Sequence, residues 1–174
     1  LRLRRNREYD WIRRLTKENT LSVNDLVQPI FIIEGKNKKI PITSMPGVYR
    51  YSIDKLNSFV KKIIDLGIPM IALFPYTERR LKDNHASEAL NENNLVCKAT
   101  KLIKKKFGNK IGIMCDVALD PYTSHGHDGI LKSNKILNDK TIDILIQQSI
   151  IQAKAGCDVI AVSYTHLTLP TITG

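Results

Sequence analysis

Positions 116 to 129 read Asp-Val-Ala-Leu-Asp-Pro-Tyr-Thr-Ser-His-Gly-His-Asp-Gly, placing three carboxylates (Asp116, Asp120, Asp128) and two imidazoles (His125, His127) within fourteen residues. Carboxylates so grouped can hold a hard cation through oxygen, receive a substrate ammonium, or act as acid and base. The imidazoles could ligate a transition metal, although the loop holds neither a cysteine nor a third histidine to complete a set. Each residue also has a purely structural role open to it. Asp120 precedes Pro121 and can form a turn, Asp116 can end a strand or cap a helix, and His127 can brace the loop as a donor. Taken together, directly after an apolar run, they point to a site.

That apolar run, Ile111 to Cys115, reads as a buried strand, and the loop beyond it is punctuated by Pro121, Gly126 and Gly129. A strand that ends in carboxylates and opens into such a loop is where α/β enzymes hold their chemistry. Three further strands are predicted: Leu26 to Ile33, Pro69 to Pro75 and Cys157 to Ala161. The second is apolar on both faces, as in a parallel sheet covered by helices. Helices fall between the strands. Ile53, Leu56, Phe59, Val60, Ile63 and Ile64 repeat at helical spacing, with Ser52 as N-cap and Gly67 as stop. Leu95, Val96, Ala99, Leu102 and Ile103 mark a second helix, ending in lysines that suit the helix dipole. Ile142, Leu145, Ile146, Ile150 and Ala153 mark a third, capped by Asn138 or Asp139. Residues 34–51, containing Pro41, Pro46 and Gly47, read as a loop.

The order βαβαβαβ, with right-handed crossovers, gives a parallel α/β sheet. It fits an open doubly wound sheet or half of a (β/α)8 barrel. No Gly-rich phosphate turn follows the first strand, and the most loaded loop sits at a strand's C-terminal end, so the pattern favours the barrel.

The chain has 174 residues and a formal net charge of +10. The charge comes partly from an arm (Arg2, Arg4, Arg5, Arg7, Arg13, Arg14) and partly from lysines on helix surfaces. Basic residues spread over several elements, without interleaved aromatics, read as a docking arm and solvated helix faces and not as a nucleic-acid surface. No apolar run is long enough to span a membrane, and the basic start lacks the apolar core of a signal peptide. Cys97, Cys115 and Cys157, isolated and odd in number, read as buried thiols of a cytoplasmic protein. The chain starts without Met, and the expectation is that it begins inside a longer protein.

Composition shifts at the other end. From Ser163 to Gly174 there are four Thr and no Lys, Asn, Asp or Glu, whereas the preceding sequence is rich in Lys, Asn and Ile. The words resemble translated sequencing adaptor. The expected organisation is a basic arm at 1–20, a half-barrel at 21–161 and a non-native tail at 162–174.

The loop words, with Leu26-Val27-Gln28-Pro29-Ile30-Phe31, Glu34-Gly35, Ser44-Met45-Pro46-Gly47-Val48-Tyr49-Arg50, Leu66-Gly67-Ile68-Pro69 and Ala72-Leu73-Phe74-Pro75, resemble the porphobilinogen synthases, or 5-aminolevulinate dehydratases. The resemblance runs from the Arg-rich arm to about Ala161, about half of a typical member. It implies a (β/α)8 barrel, of which this is the first half, with an arm that wraps a neighbouring subunit in a homo-octamer. It implies a lyase that condenses two molecules of 5-aminolevulinate to porphobilinogen, losing two waters, in tetrapyrrole and haem synthesis. Two barrel lysines form Schiff bases in that reaction; both are expected beyond position 174, so the chain alone is expected to be inactive and poorly folded.

Many members bind a catalytic zinc through three cysteines of this loop. Here those positions are Ala118, Asp120 and Asp128. Thiolates select zinc and carboxylates select harder ions, so the resemblance is to an aspartate-rich, zinc-independent branch with Mg2+ as the expected ion. On that resemblance Asp116 is a catalytic aspartate, while Asp120 and Asp128 place the second substrate's amino group, directly or through a metal. The rival reading is a metal-dependent hydrolase on the same barrel, using His125 and His127.

Overall fold

The computed structural model describes residues 4–162. All of the expected non-native tail except Val162 therefore lies outside the described residues. The N-terminal segment forms two short helices, α1 (Arg5–Glu8) and α2 (Asp10–Leu15), neither with a buried residue. The body follows as β1 (Val27–Ile33), β2 (Lys39–Pro41), β3 (Tyr49–Ser52), α3 (Ile53–Asp65), β4 (Met70–Tyr76), α4 (Leu95–Phe107), β5 (Gly112–Asp116), β6 (Leu131–Lys132), β7 (Lys135–Ile136), α5 (Asn138–Ala155) and β8 (Val159–Ala161).

The four expected strands are β1, β4, β5 and β8. They lie side by side in chain order, each parallel to the next. Their register is continuous from Val27↔Met70 through Met70↔Gly112 to Met114↔Val159. On the other side of β1, the segment read as a loop instead forms a hairpin: β2 runs antiparallel to β3, and β3 pairs in parallel with Phe31, Ile32 and Ile33. The alternation in Tyr49-Arg50-Tyr51-Ser52 was too short to mark this strand against Pro41, Pro46 and Gly47.

Helices α3 and α4 cover one face of the sheet. Leu56, Val60 and Ile63 from α3, with Leu95, Val96, Ala99 and Ile103 from α4, bury against Ile30, Ile32, Ile71, Leu73, Ile113 and Cys115. Each such aliphatic side chain removed from water contributes about 1.5–3 kcal/mol, so this layer is the main source of stability. α4 is capped by Asn94, whose side chain accepts the Cys97 N–H at 2.9 Å. Ser52 does occupy the N-cap position of α3, but its hydroxyl accepts the Lys38 N–H at 2.8 Å instead of capping. It thus ties β3 to the strand entry while Asp54 receives the Asn37 amide at 3.0 Å.

α5 departs from its expected orientation. Of the apolar stripe read as its buried face, Ile142, Ile146 and Ile150 are 44%, 52% and 49% exposed. Thr141, Gln148, Gln152 and Ala155 face inward instead. Its N-cap is Leu137, without a side-chain cap, and not Asn138 or Asp139.

Strand alternation puts Ile113 and Cys115 under the helices and Gly112, Met114 and Asp116 on the opposite face. Among the described residues no helix covers that second face, although β4 reads as apolar on both faces. Phe31 and Phe74 meet there, ring centroids 5.7 Å apart, and both are half-buried. Helices on one face, over strands in chain order, differ from a doubly wound sheet, which carries helices on both faces.

Candidate active site

Asp116 is the last residue of β5 and lies on the face the helices leave uncovered. The backbone that follows is buried through Val117, Ala118 and Leu119, and tertiary hydrogen bonds hold it at successive points. The Val117 N–H donates to the Ala161 carbonyl of β8 at 2.7 Å. The side-chain amide of Gln152 donates to the Asp116 carbonyl at 3.0 Å, and that of Gln148 to the Ala118 carbonyl at 3.2 Å. The Leu119 N–H donates to Asp128 Oδ1 at 2.6 Å. Asp128 thus reaches back across the loop to the residue preceding Asp120, which brings two carboxylates distant in sequence to one place.

Asp120 is half-buried. Burial raises its carboxyl above the ordinary value, and the charges of Asp128 and then Asp116 raise it further. Both of the other predicted acids therefore act on Asp120. A cation or ammonium placed among them would relieve both the desolvation and the repulsion.

A second, smaller core fixes the loop. Leu119, Tyr122 and Ile130 bury against Ala86 and Ala89 from the segment between β4 and α4, with Leu137, Ile144 and Leu145 packed around them. The two loops are also joined through backbone: Asp83 N–H donates to the Tyr122 carbonyl at 3.2 Å, and Ser124 N–H to the Asp83 carbonyl at 2.9 Å. The Ser124 hydroxyl contacts the Asn84 side chain. Beyond Asp128, β6 and β7 form a hairpin turned by Ser133 and Asn134 at φ +50° and +59°, the twist that a two-residue hairpin turn needs. Gly129 lies so close beneath it that a Cβ would meet Ile136 at 2.8 Å.

The histidines behave differently. His125 Nδ1 accepts the backbone N–H of His127 at 3.2 Å, and the His127 carbonyl accepts the Thr123 hydroxyl at 2.8 Å. Loop bracing therefore runs through the imidazole of His125 and the backbone of His127, whose side chain is exposed. The two rings lie 5.5 Å apart. Among the described residues, no group of three or more His, Cys, Asp or Glu is arranged to hold a metal. The donors at Asp120 and Asp128 are oxygens, which suit a hard cation such as magnesium, and positions 118, 120 and 128 offer no thiolate for zinc.

The sequence reading missed Gln148 and Gln152. Both are buried. Their Oε1 atoms, also buried, accept no hydrogen bond from the protein, a desolvation cost of about 1–3 kcal/mol each. The signal was their four-residue spacing in phase with Thr141 and Ala155, obscured because three isoleucines repeat just as regularly on the other side of the helix.

A one-sided parallel sheet with acids at the C-terminal end of a strand defines an α/β protein, with its acids where proteins of this architecture place their sites. The model of the delta-aminolevulinic acid dehydratase family matches residues 1–166. The delta-aminolevulinic acid dehydratase of Bradyrhizobium diazoefficiens is 53% identical over 163 residues, which is 94% of this chain and 46% of that protein. That of Synechocystis is 42% identical, over 94% and 50% of the two. Among solved structures, the Toxoplasma gondii delta-aminolevulinic acid dehydratase (porphobilinogen synthase), in complex with its reaction product porphobilinogen, superposes with a TM-score of 0.83 at 38% identity. It is matched over 94% of this chain and 46% of its own. The chain belongs to the delta-aminolevulinic acid dehydratase family. It spans about half the length of the curated relatives it matches.

Proposed function

We propose that this chain is the first half of a (β/α)8 barrel in a porphobilinogen synthase, a lyase that joins two 5-aminolevulinate molecules into porphobilinogen with loss of two waters. The observation that carries the reading is the convergence of Asp116, Asp120 and Asp128 on one place, with Asp120 raised by burial and by its two neighbours. An aminoketone acid brings an ammonium that such a cluster receives. As that ammonium gives up its proton to become a nucleophile, a neighbouring carboxylate is placed to accept it. Asp120 and Asp128 orient the amine, and Asp116 ends β5 on the sheet face where Phe31 and Phe74 meet.

Where a divalent ion takes part, Asp120 and Asp128 would hold it, and it would supply charge neutralisation for the amine's approach. The arm with α1 and α2 carries Tyr9, Trp11 and Leu15 exposed, and on this reading it docks on a neighbouring copy in a homo-octamer. The lysines that form Schiff bases belong to the part of the barrel outside residues 1–174.

The test is porphobilinogen formation by the full-length protein that carries this chain. Asp120→Asn and Asp128→Asn are expected to lower kcat/KM for 5-aminolevulinate by about 10²-fold or more, and the 174-residue chain alone is expected to form no product. Unchanged kinetics in both variants would refute the assignment of these acids, and product formation by the chain alone would refute the half-barrel reading.

A further inference from the structure

Between Asp116 and Asp120 the chain is neither strand nor helix, so nothing in regular secondary structure sets the separation of the two carboxylates. Two of the contacts that set it come from one face of α5. Gln152 and Gln148, four residues apart and so one turn above the other, donate to the carbonyls of Asp116 and Ala118. A backbone carbonyl can only accept, so each amide must present its nitrogen. That leaves each Oε1 buried without a protein donor. A leucine at either position would fill the same space without the orphaned oxygen, so packing alone gives no reason for two glutamines here. A third contact, in which the Leu119 N–H donates to the Asp128 carboxylate, completes a bracket that grips Asp116 and Ala118 from α5 and Leu119 from the loop.

We propose that Gln148 and Gln152 are positioning residues of this site, using their amides to fix the Asp116–Asp120 segment and thereby the geometry in which these two carboxylates meet the substrate. The inference rests on the reading of Asp116 and Asp120 as substrate-facing, and the experiment separates the two.

In the full-length protein, Gln148→Met and Gln152→Met keep side-chain length and remove the donor. Ala155→Gly, at the last residue of the same helix, loosens α5 without removing either amide donor. Steady-state kcat and KM for 5-aminolevulinate are measured beside the melting temperature. The methionine variants are expected to lose about tenfold to hundredfold in kcat/KM, while Ala155→Gly stays within about twofold at an equal or larger loss of melting temperature. If the methionine variants lose no more activity than Ala155→Gly at matched stability, the glutamines are merely structural and the proposal fails. If a methionine variant does not fold, the corresponding asparagine variant, which keeps the amide one methylene short of the carbonyl, is judged by the same comparison. Asp116→Asn and Asp120→Asn run in parallel. Loss of activity in these with none in the glutamine variants overturns the positioning role alone, whereas full activity in the aspartate variants overturns the reading beneath it.

Discussion

Asp120 shows how a single ionisable group reports on its neighbours. Burial, then Asp128 and Asp116, raise its proton affinity in the folded state above the ordinary value of 3.8. The folded protein therefore holds that proton more tightly than the unfolded chain. The associated stabilisation is fully present below pH 3.8 and is lost as the pH rises through the higher folded value. At neutral pH the ionised carboxylate is a strain on the fold. Asp120→Asn is expected to raise the melting temperature at pH 7 by on the order of 2 °C, and the gain should vanish below pH 3.8; thermal melts on either side of that value check it. The residue types and spacing of the acids were legible from the chain alone, because the words around them are short and local. Their mutual influence was not, since Asp128 returns to Leu119 only when the loop closes on its own small core. The roles of the two histidines were also undetermined until the loop's turn placed the His127 amide on His125.

At the scale of elements, β8 is attached to β5 by more than its ladder. Asp158 accepts the Ile113 N–H at 2.8 Å and pairs with Lys104 of α4 at 2.7 Å. Burial by itself would raise this carboxyl, but Lys104 and the Ile113 amide outweigh it and hold it below the ordinary value. The stabilisation is therefore present above the unfolded value of 3.8 and disappears as the pH falls through the lower folded one. Asp158→Ala is expected to cost about 1 kcal/mol at pH 7, in keeping with a partly exposed ion pair, and its melting curve should merge with that of the parent chain in acid. Strands and helices were readable because apolar periodicity is set by the sheet and helix repeats themselves. The direction in which α5 faces was not. A helix with isoleucines on one side and glutamines on the other offers two candidate faces, and the choice went to the side whose amides meet the carbonyls of Asp116 and Ala118.

For the whole molecule, the outward stripe of α5 and the outer edge of β8 belong together. Ile142, Ile146, Ile150 and Ile160 are all exposed large aliphatics, and among the described residues β8 ends the sheet with one ladder edge open. An apolar stripe beside an open strand edge favours self-association. The 174-residue chain is expected to elute as a concentration-dependent oligomer in size-exclusion chromatography with light scattering. The double variant Ile142→Lys, Ile146→Lys should shift it towards the monomer while changing stability by no more than about 0.5 kcal/mol per site. An unchanged oligomer distribution would show that the stripe is not the adhesive surface.

The chain's own letters determined the sequence of strands and helices, the loop that carries the acids, the absence of thiolate at positions 118, 120 and 128, and the family it belongs to. All of these are recorded in local words and periodicities that exist before folding. Tertiary structure alone decided that the helices gather on one face, that a hairpin flanks β1, and that Gln148 and Gln152 turn inward to grip the strand end. These depend on which surfaces meet across long separations in sequence, where hydrogen-bonding demands of backbone carbonyls can override an apolar stripe.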